Sequence, residues 1–501
     1  MTHPNILVKN LTGKFRQRCF TAVGEASVHN LIVYNNTVSV ALRALTERLF
    51  YVKVGKEFGP CPKPAPGKFS TLRSFAMRVR KALPTLPPVW TRDQFVESYA
   101  GQKKKRYTRA SERLSCGGFK KSFGYLSTFI KAEIYDATLK SDPCPRLIQP
   151  RRPEYNVELG RYLRPLEKLV YKAIDRVFGH HVVLKCDAPW MRARTIAGYW
   201  QEFSKPVFVG LDASRFDQHV SVDALQYEHA FYNSIFHDAK LRKLLSAQVF
   251  QRGYANMVDG TIFYTVDGCR ASGDMNTALG NVFLMCAMAY EYLSTLGVEY
   301  RFINDGDDCG IFMDACNLHL LGSLPEFFLA FGFEMEVEDP VYVLEEVEFC
   351  QSRPVCVGRD YMMVRNVHKA LRQDEMVIEN QDWATFDEIR HATGVCGLAL
   401  YEGFPVLDAY YRSMLGSDLR APVVDRLLSS RGGWKYHASM KRCMDVDLDV
   451  ARASFYRAFG LLPEVQIELE HALRERVFTS TQYQISPNPQ VARPNFVDRF
   501  C

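Results

Sequence analysis

The residues best suited to chemistry stand at Asn304-Asp305-Gly306-Asp307-Asp308. Apolar runs flank them, Tyr300-Arg301-Phe302-Ile303 before and Cys309-Gly310-Ile311-Phe312-Met313 after. Two strand-like runs joined by an Asp/Gly turn predict a β-hairpin with Asp307 and Asp308 side by side at its tip. Adjacent exposed carboxylates repel, so a fold that presents them offsets the charge with a cation. A hard ion such as Mg²⁺ prefers carboxylate oxygen and keeps positions open for substrate phosphates. An acidic surface turn is the plain alternative. Upstream, Val207-Phe208-Val209-Gly210-Leu211 predicts a buried strand ending at Asp212, with Asp217 five positions on. Rigid strand ends aim such groups into a crevice. Asp212, Asp307 and Asp308 on two strand ends suit a two-metal site, with ions about 3.5–4 Å apart clamping an in-line phosphoryl displacement. Positioning and charge neutralisation carry most of that chemistry.

Such a site needs groups that hold phosphate. A basic segment begins at Phe129-Ile130-Lys131-Ala132-Glu133 and runs through Pro145-Arg146-Leu147-Ile148-Gln149-Pro150-Arg151-Arg152 to Arg161 and Arg164. Pro143, Pro145, Pro150 and Pro153 are expected to keep much of it extended. Arginines on that scaffold suit a triphosphate, whose oxygens match the planar guanidinium fork. Glu133 is expected to orient its basic neighbours by pairing. The densest positive run, Lys103-Lys104-Lys105-Arg106, reads as phosphate contact, with a solvated loop or nuclear-type signal as alternatives.

The elements around these residues follow from pattern. Val222 to Phe250 is helical in spacing, Gly268 to Asp274 a small flexible loop, and Thr277 to Leu296 an apolar helix with Asn281 near its first turn. Beyond the hairpin, Leu318–Phe331 predicts a helix and Phe333–Val337 a strand. Val347–Cys350 and Val355–Val357 predict a second hairpin. Gln373 to Arg476 reads as a helical lobe, and the tail from Thr479 as poorly ordered. Residues 1–60 give no chemistry. Cys61–Gly67 is an extended Pro-rich linker, and Leu72–Leu83 a basic helix stopped by Pro84.

Composition sets the bounds. The 501 residues are 47% hydrophobic and 24% charged, ordinary for a large core in two or three lobes. The net charge of +7 conceals an asymmetry: residues 1–131 hold 24 Lys+Arg against 6 Asp+Glu, leaving the rest at −11. A basic first quarter beside an acidic remainder suits a polyanion surface next to a metal-using centre, a solvated basic face being the plainer possibility. The 14 cysteines include no Cys-x-x-Cys pair, which favours reduced core thiols in an intracellular protein. No signal peptide is recognisable. The longest clean apolar run, Val282 to Tyr290, is nine residues, too short to span a bilayer, so no transmembrane segment is expected.

The order of these motifs resembles the viral RNA-dependent RNA polymerases, in particular the tombusvirus-like group of carmovirus and umbravirus relatives. Gly268-Cys269-Arg270-Ala271-Ser272-Gly273-Asp274-Met275-Asn276-Thr277-Ala278-Leu279-Gly280-Asn281 is similar to that group's Ser-Gly motif nearly residue for residue. Phe349-Cys350-Gln351 followed by Pro354-Val355 resembles its primer-grip hairpin, and Leu211–Asp217 and Ile148-Gln149-Pro150-Arg151 match as well. The resemblance extends from Phe95 to Met414. It implies an α/β (α+β) right-hand polymerase fold of fingers, palm and thumb, closed by fingers–thumb extensions. On that scheme residues 1–90 are a basic bridging extension and 91–205 the fingers, joined by part of 220–268. Residues 206–365 are then the palm, 366–478 the thumb and 479–501 a tail.

The resemblance further implies Asp212 and Asp307 as the principal Mg²⁺ ligands, with Asp308 supporting, Ala213 in the metal set and Mn²⁺ as a substitute. Asp217 and Asn281 are then expected to pair over the incoming ribose 2′-hydroxyl, with Ser272 adjusting that network and Thr277 joining it. Lys131, Arg146 and Arg151 are expected on the triphosphate. Lys103, Lys104, Lys105, Arg106, Gly273 and Gln351 are expected on RNA, Gly273 by letting backbone approach the template. One departure stands out: no Lys or Arg lies between Asp314 and Val347, where many relatives carry a candidate general acid. Glu336 and His319 occupy that stretch, and no general acid is assigned. Implied partners are single-stranded viral RNA template and nascent RNA, ribonucleoside triphosphates and a viral auxiliary replication protein. The implied location is host cytoplasm, with recruitment to membrane-bound replication complexes through a partner.

Three readings compete. The first is primer-independent, template-directed RNA synthesis. The second is a reverse transcriptase or terminal nucleotidyltransferase, against which the Asp217–Asn281 pair argues, since a site built to bond a hydroxyl penalises its absence. The third is a non-catalytic RNA-binding replication factor, which loss of a metal carboxylate would favour. All three carboxylates are present.

Overall fold

Val207, Val209 and Leu211 point into one core, packed with Phe283 and Met285, while Phe208 points into another with Ile303 and Phe312. A strand buried on both faces has no polar alternation, which is why this run is apolar throughout. The strand, Pro206–Ala213, lies inside a four-stranded antiparallel sheet. Asp308–Asp314 pairs on one side and Met335–Val337 on the other, with Arg301–Asp305 at the outer edge. The structure is a computed structural model describing residues 3–22, 31–137, 142–378, 383–417, 419–430, 445–476, 478 and 483–485.

The first hairpin forms as its sequence predicts. Gly306 takes φ +99°, a conformation L side chains rarely adopt, and the buried Asn304 amide closes the turn by donating to Gly306 O (2.8 Å) and accepting from Gly306 N (3.0 Å). Behind the sheet, Thr277–Leu293 runs buried for most of its length, flanked by Val222–Phe236 and the long helix Pro153–Phe178.

Several elements differ from expectation. The helical stretch from Val222 breaks at His237 (φ +50°), and Asp238 caps a second helix, Ala239–Val249. An unforeseen hairpin follows, Phe250–Met257 with Gly260–Asp267, whose residues alternate between exposed and buried. The Gly268–Asp274 loop is held rather than flexible: Cys269, Arg270 and Ala271 are buried and Gly273 bridges to Pro150. Arg161 and Arg164 sit on a helix, because Pro153 occupies its first turn, where a missing N–H costs nothing. Gly101–Gly117, with the Lys103–Arg106 run, is likewise helix rather than loop. The stretch from Leu318 splits at Gly322 into a 3₁₀ turn, Ala315–Leu321, and a short helix, Leu324–Leu329. The second hairpin pairs Ser352–Cys356 with Tyr361–Arg365, one strand later than predicted, since Cys350 and Gln351 adopt positive φ and turn the chain.

The predicted helical lobe contains Phe386–Tyr401, Leu407–Ser413, Ala421–Ser430, Leu448–Phe459 and Pro463–Arg474, and its core also takes in the second hairpin. Most of the tail expected to be poorly ordered lies outside the described residues; the backbone of Tyr483–Ile485 is described. That strand and Met376–Ile378 pair with opposite edges of Phe20–Ala22, joining distant parts of the chain in one sheet. The Pro-rich stretch is extended but docked, with Ala65 N donating to Ala330 O (2.9 Å). Cysteines 144, 269, 286, 309 and 396 are buried, whereas 116, 186 and 316 are exposed, so the core-thiol expectation holds only in part. Among the described residues no helix is long and apolar enough to cross a membrane.

Candidate active site

The strand register sets the site. Asp305 pairs with Asp308, Asp308 with Asp212, and Asp212 with Glu336. Directly opposed residues in an antiparallel sheet project to the same face. Four carboxylates therefore form a row across the sheet, and Asp307 stands at the adjoining turn. Asp212, Asp307 and Asp308 are exposed, and among the described residues no Lys, Arg or His pairs with them. Burial, then the charges of Asp307, Asp305 and Asp212, push the Asp308 carboxyl above its ordinary value. Glu338 adds to this field: its carboxyl is raised by burial and by Asp212, and it lies over Gly210, where a Cβ would come within 1.8 Å of a carboxylate oxygen. Sequence reasoning missed Glu338; the signal was a glycine inside a strand. Ala213, buried beside Asp212, can offer a metal only its backbone carbonyl.

Among the described residues no group of three His, Cys, Asp or Glu side chains closes into a metal cage. The carboxylates are an open set instead. That suits an ion that keeps its waters and is completed by substrate phosphates.

Asp217 and Asn281 meet as expected, Asn281 Nδ2 donating to Asp217 Oδ1 at 2.9 Å. Burial, with a smaller push from Asp307, raises the Asp217 carboxyl to about 6 against the opposing effects of Asn281, Arg270 and Arg146. Behind the pair lies a buried network that sequence reading did not find. Arg270 Nε donates to Asn281 Oδ1 (3.0 Å), and its guanidinium forms an ion pair with Glu228. Glu228 also accepts from Asn276 (2.6 Å) and Tyr232 (2.8 Å). A Cβ at Gly280 would strike Arg270 and Glu228 at 2.4–2.6 Å, so glycine is required there. The available signal was a lone Glu in an apolar helix. The other two members of the expected ribose group bond to backbone: Ser272 Oγ accepts from Gln149 N (3.2 Å) and donates to Leu147 O (3.3 Å), and Thr277 Oγ1 donates to Ala271 O (2.7 Å).

The basic segment divides. Lys131 and Arg146 come together just beyond the paired short strands Phe129–Ile130 and Leu147–Ile148, with Lys131 N donating to Arg146 O (2.9 Å), and Lys131 pairs with Glu133 at 2.5 Å. Arg146 stands 3.6 Å from the same carboxylate. Despite burial, the hydrogen bonds from Lys131 and Tyr135 and the Arg146 charge hold Glu133 below its ordinary value. Arg151 is a correction. Its side chain is fully buried, ion-paired to Asp274, and donates to Gly124 O, Ala247 O (3.1 Å) and Gln251 Oε1 (2.6 Å). A guanidinium so committed has no donor to offer a triphosphate. Gly273 is the other: a Cβ there would lie 2.6 Å from Pro150 Cα, so the close backbone approach it permits is to this chain's own Pro150. Gln351 is exposed at the second turn, bonded to Lys369. Lys103, Lys105 and Arg106 are exposed on their helix, and Lys104 pairs with Glu97 at 2.6 Å.

Residues 1–60 also reach the site. Thr46–Phe50 forms a single π-helical turn, an arrangement frequent at functional sites. Arg48 donates to Pro145 O (2.7 Å) and Cys144 O (2.8 Å), next to Arg146. Arg215 donates to Glu47 O, Gln218 to Tyr51 O (2.9 Å) and Cys269 Sγ to Leu49 O (3.4 Å). One turn thus touches the basic segment, the Asp212–Asp217 loop and the Ser-Gly loop.

Residues 8–480 match the family model described as viral RNA dependent RNA polymerase. The RNA-directed RNA polymerase of Oat chlorotic stunt virus is 38% identical over 496 residues, covering 92% of this chain and 65% of the relative. That of Cymbidium ringspot virus is 41% identical over 467 residues, covering 91% and 55%. That of Tobacco necrosis virus (strain A) is 39% identical over 495 residues, covering 97% and 68%. The chain spans between about half and two thirds of the length of these relatives. With its carboxylate row, its Asp217–Asn281 pair and a match over nearly its whole length, this chain belongs to the viral RNA-dependent RNA polymerase family.

Proposed function

We propose that this chain is a template-directed RNA polymerase that extends RNA from ribonucleoside triphosphates by a two-metal mechanism and starts without a primer. The observation that carries the reading is the set of three exposed carboxylates, which form no ion pair with a cation among the described residues, beside a partly buried Asp217–Asn281 pair whose carboxylate feels both Asp307 and Arg146. Asp212, Asp307 and Asp308 hold Mg²⁺, or Mn²⁺ in its place, which when bound neutralises phosphate charge and aligns the 3′-hydroxyl with the α-phosphate. Lys131 and Arg146 receive the triphosphate, kept in place by Glu133. Asp217 and Asn281 read the ribose 2′-hydroxyl, and Arg270 with Glu228 holds Asn281 in position. The Lys103–Arg106 run on its helix contacts RNA phosphates, and Gln351 lies beside the nascent strand.

In this reading the carboxylate sheet belongs to the palm (206–365), residues 91–205 with part of 220–268 to the fingers and 366–478 to the thumb. Residues 1–90 bridge the outer two, consistent with the pairing of Phe20–Ala22 with Met376–Ile378. A viral auxiliary replication protein recruits the enzyme to membrane-bound replication complexes in the host cytoplasm.

The test is nucleotide incorporation on a short unprimed RNA with Mg²⁺ or Mn²⁺, beside the Asp307→Ala/Asp308→Ala variant. Template-length product from the parent alone is expected. Untemplated tails would indicate terminal transfer. No product from folded, RNA-binding protein would favour a non-catalytic replication factor.

A further inference from the structure

Among the described residues, cations form ion pairs with one end of the carboxylate row and not with Asp212 or Asp308. Asp305 lies two residues before Asp307 and directly across from Asp308, with a side chain only 10% exposed. Both its oxygens are taken: Lys185 Nζ lies 2.6 Å from Oδ1 and Arg192 Nη2 2.5 Å from Oδ2. The thiol of Cys350 approaches Oδ2 at 3.5 Å.

The cations are themselves held. Arg192 Nε donates to Leu184 O (3.1 Å), and the backbone before Lys185 pairs with the hairpin strand, Leu184 N to Asn304 O (3.0 Å) and Asn304 N to Val182 O (2.8 Å). His181, at the start of this segment, lies between Asp175 and Asp187 at 2.7 Å from each. Among the described residues no Lys, Arg or His forms an ion pair with Asp212, Asp307 or Asp308; Asp308 shares the Cys350 thiol, and Lys185 reaches Asp307 only through the field of its charge. The contrast is informative because, by register alone, Asp305 and Asp308 are as good a cross-strand carboxylate pair as Asp308 and Asp212. A hard divalent cation has no chemical ground for preferring one pair to the other. What separates them is charge.

We propose that Lys185 and Arg192 are positioning residues that occupy Asp305, so that a divalent cation settles among Asp212, Asp307 and Asp308 and is denied the Asp305–Asp308 pair. The inference rests on the metal-dependent reading above. Freed of its cations, Asp305 becomes a competing ligand that draws the ion away from Asp212. Metal binding and turnover then separate, which an ion pair serving only to hold the fold together would not cause.

The experiment measures Mn²⁺ binding to the nucleotide-free protein by electron paramagnetic resonance, and steady-state turnover on the same samples. The Lys185→Met/Arg192→Met variant is expected to bind Mn²⁺ at least as tightly as the parent, while kcat falls about tenfold or more and nucleotide KM changes less than about twofold. Adding Asp305→Asn to that variant is expected to restore kcat to within about threefold of the parent, the signature of a coupled pair. Asp305→Asn alone guards against a variant that does not fold: it is expected to keep turnover, with Mn²⁺ binding weakened severalfold by two uncompensated cations. Unchanged kcat in the double variant, loss of its Mn²⁺ binding, failure of Asp305→Asn to restore kcat, or inactivity of Asp305→Asn alone would each overturn the proposal. A parent protein whose Mn²⁺ binding survives Asp307→Ala/Asp308→Ala would overturn the metal-dependent reading with it.

Discussion

At the scale of single residues, Asp217 makes a pH prediction. Its carboxyl is raised to about 6 by burial, so it is ionised above that pH and protonated below it. Ionised, it accepts a hydrogen bond from a ribose 2′-hydroxyl; protonated, it loses most of that capacity. The preference for ribo- over deoxynucleotides is therefore expected to decline as pH falls through 6, while Asn281→Ala, already poor at discrimination, gives a flat profile. Paired single-nucleotide incorporation assays between pH 5 and 8 check this, and a wild-type ratio constant across that window would remove Asp217 from the sugar-reading role. The types and spacing of Asp212, Asp307, Asp308, Asp217 and Asn281 were all legible in the sequence. The fate of Arg151 was not, because its partner Asp274 lies 123 positions away and nothing local shows that a guanidinium is buried. Arg270 was hidden for the same reason, its carboxylate Glu228 being on a helix 42 positions earlier.

At the scale of elements, the π-helical turn Thr46–Phe50 is the support that pattern reading could not see. Its function lies in backbone carbonyls accepting from two separate segments, Arg215 to Glu47 O and Cys269 to Leu49 O, and carbonyls carry no sequence signature. Arg48 is the one side chain of the turn that grips the segment before Arg146. Arg48→Ala is expected to raise nucleotide KM about three- to tenfold with kcat nearly unchanged, because it loosens a group that binds substrate and transition state alike. A drop in kcat at constant KM would place the effect elsewhere. The Gly-Asp-Asp hairpin was legible because its turn chemistry and both flanking strands agree. The second hairpin slipped by a strand because Val347, Phe349 and Val355 are all apolar and buried, and composition alone cannot tell a packed connection from a paired strand. The unforeseen hairpin at 250–267 alternates cleanly once seen, but it follows two helices without a break.

At the scale of the whole molecule, charge asymmetry was the most legible property, and it is the one most open to measurement. Replacing Lys103, Lys104, Lys105 and Arg106 by Gln is expected to weaken RNA binding and to flatten its salt dependence, by about 0.7 in the logarithmic slope for each lost single-strand phosphate contact. Lys104, paired with Glu97, contributes least. An unchanged slope would make the run an ordinary solvated face. What composition could not convey is how distant segments are fastened together, since the three-residue strands that do it carry little pattern. The sheet around Phe20–Ala22 has a consequence for how the chain is made. Phe20–Ala22 is made before its partners, and one of them, Tyr483–Ile485, is encoded some 460 residues later. At about 5–20 residues per second, the first strand waits roughly 20 to 90 seconds with an unsatisfied edge. Completion of the sheet is thus timed by synthesis itself, and until Tyr483–Ile485 emerges the nascent protein carries an open strand edge able to pair with other chains.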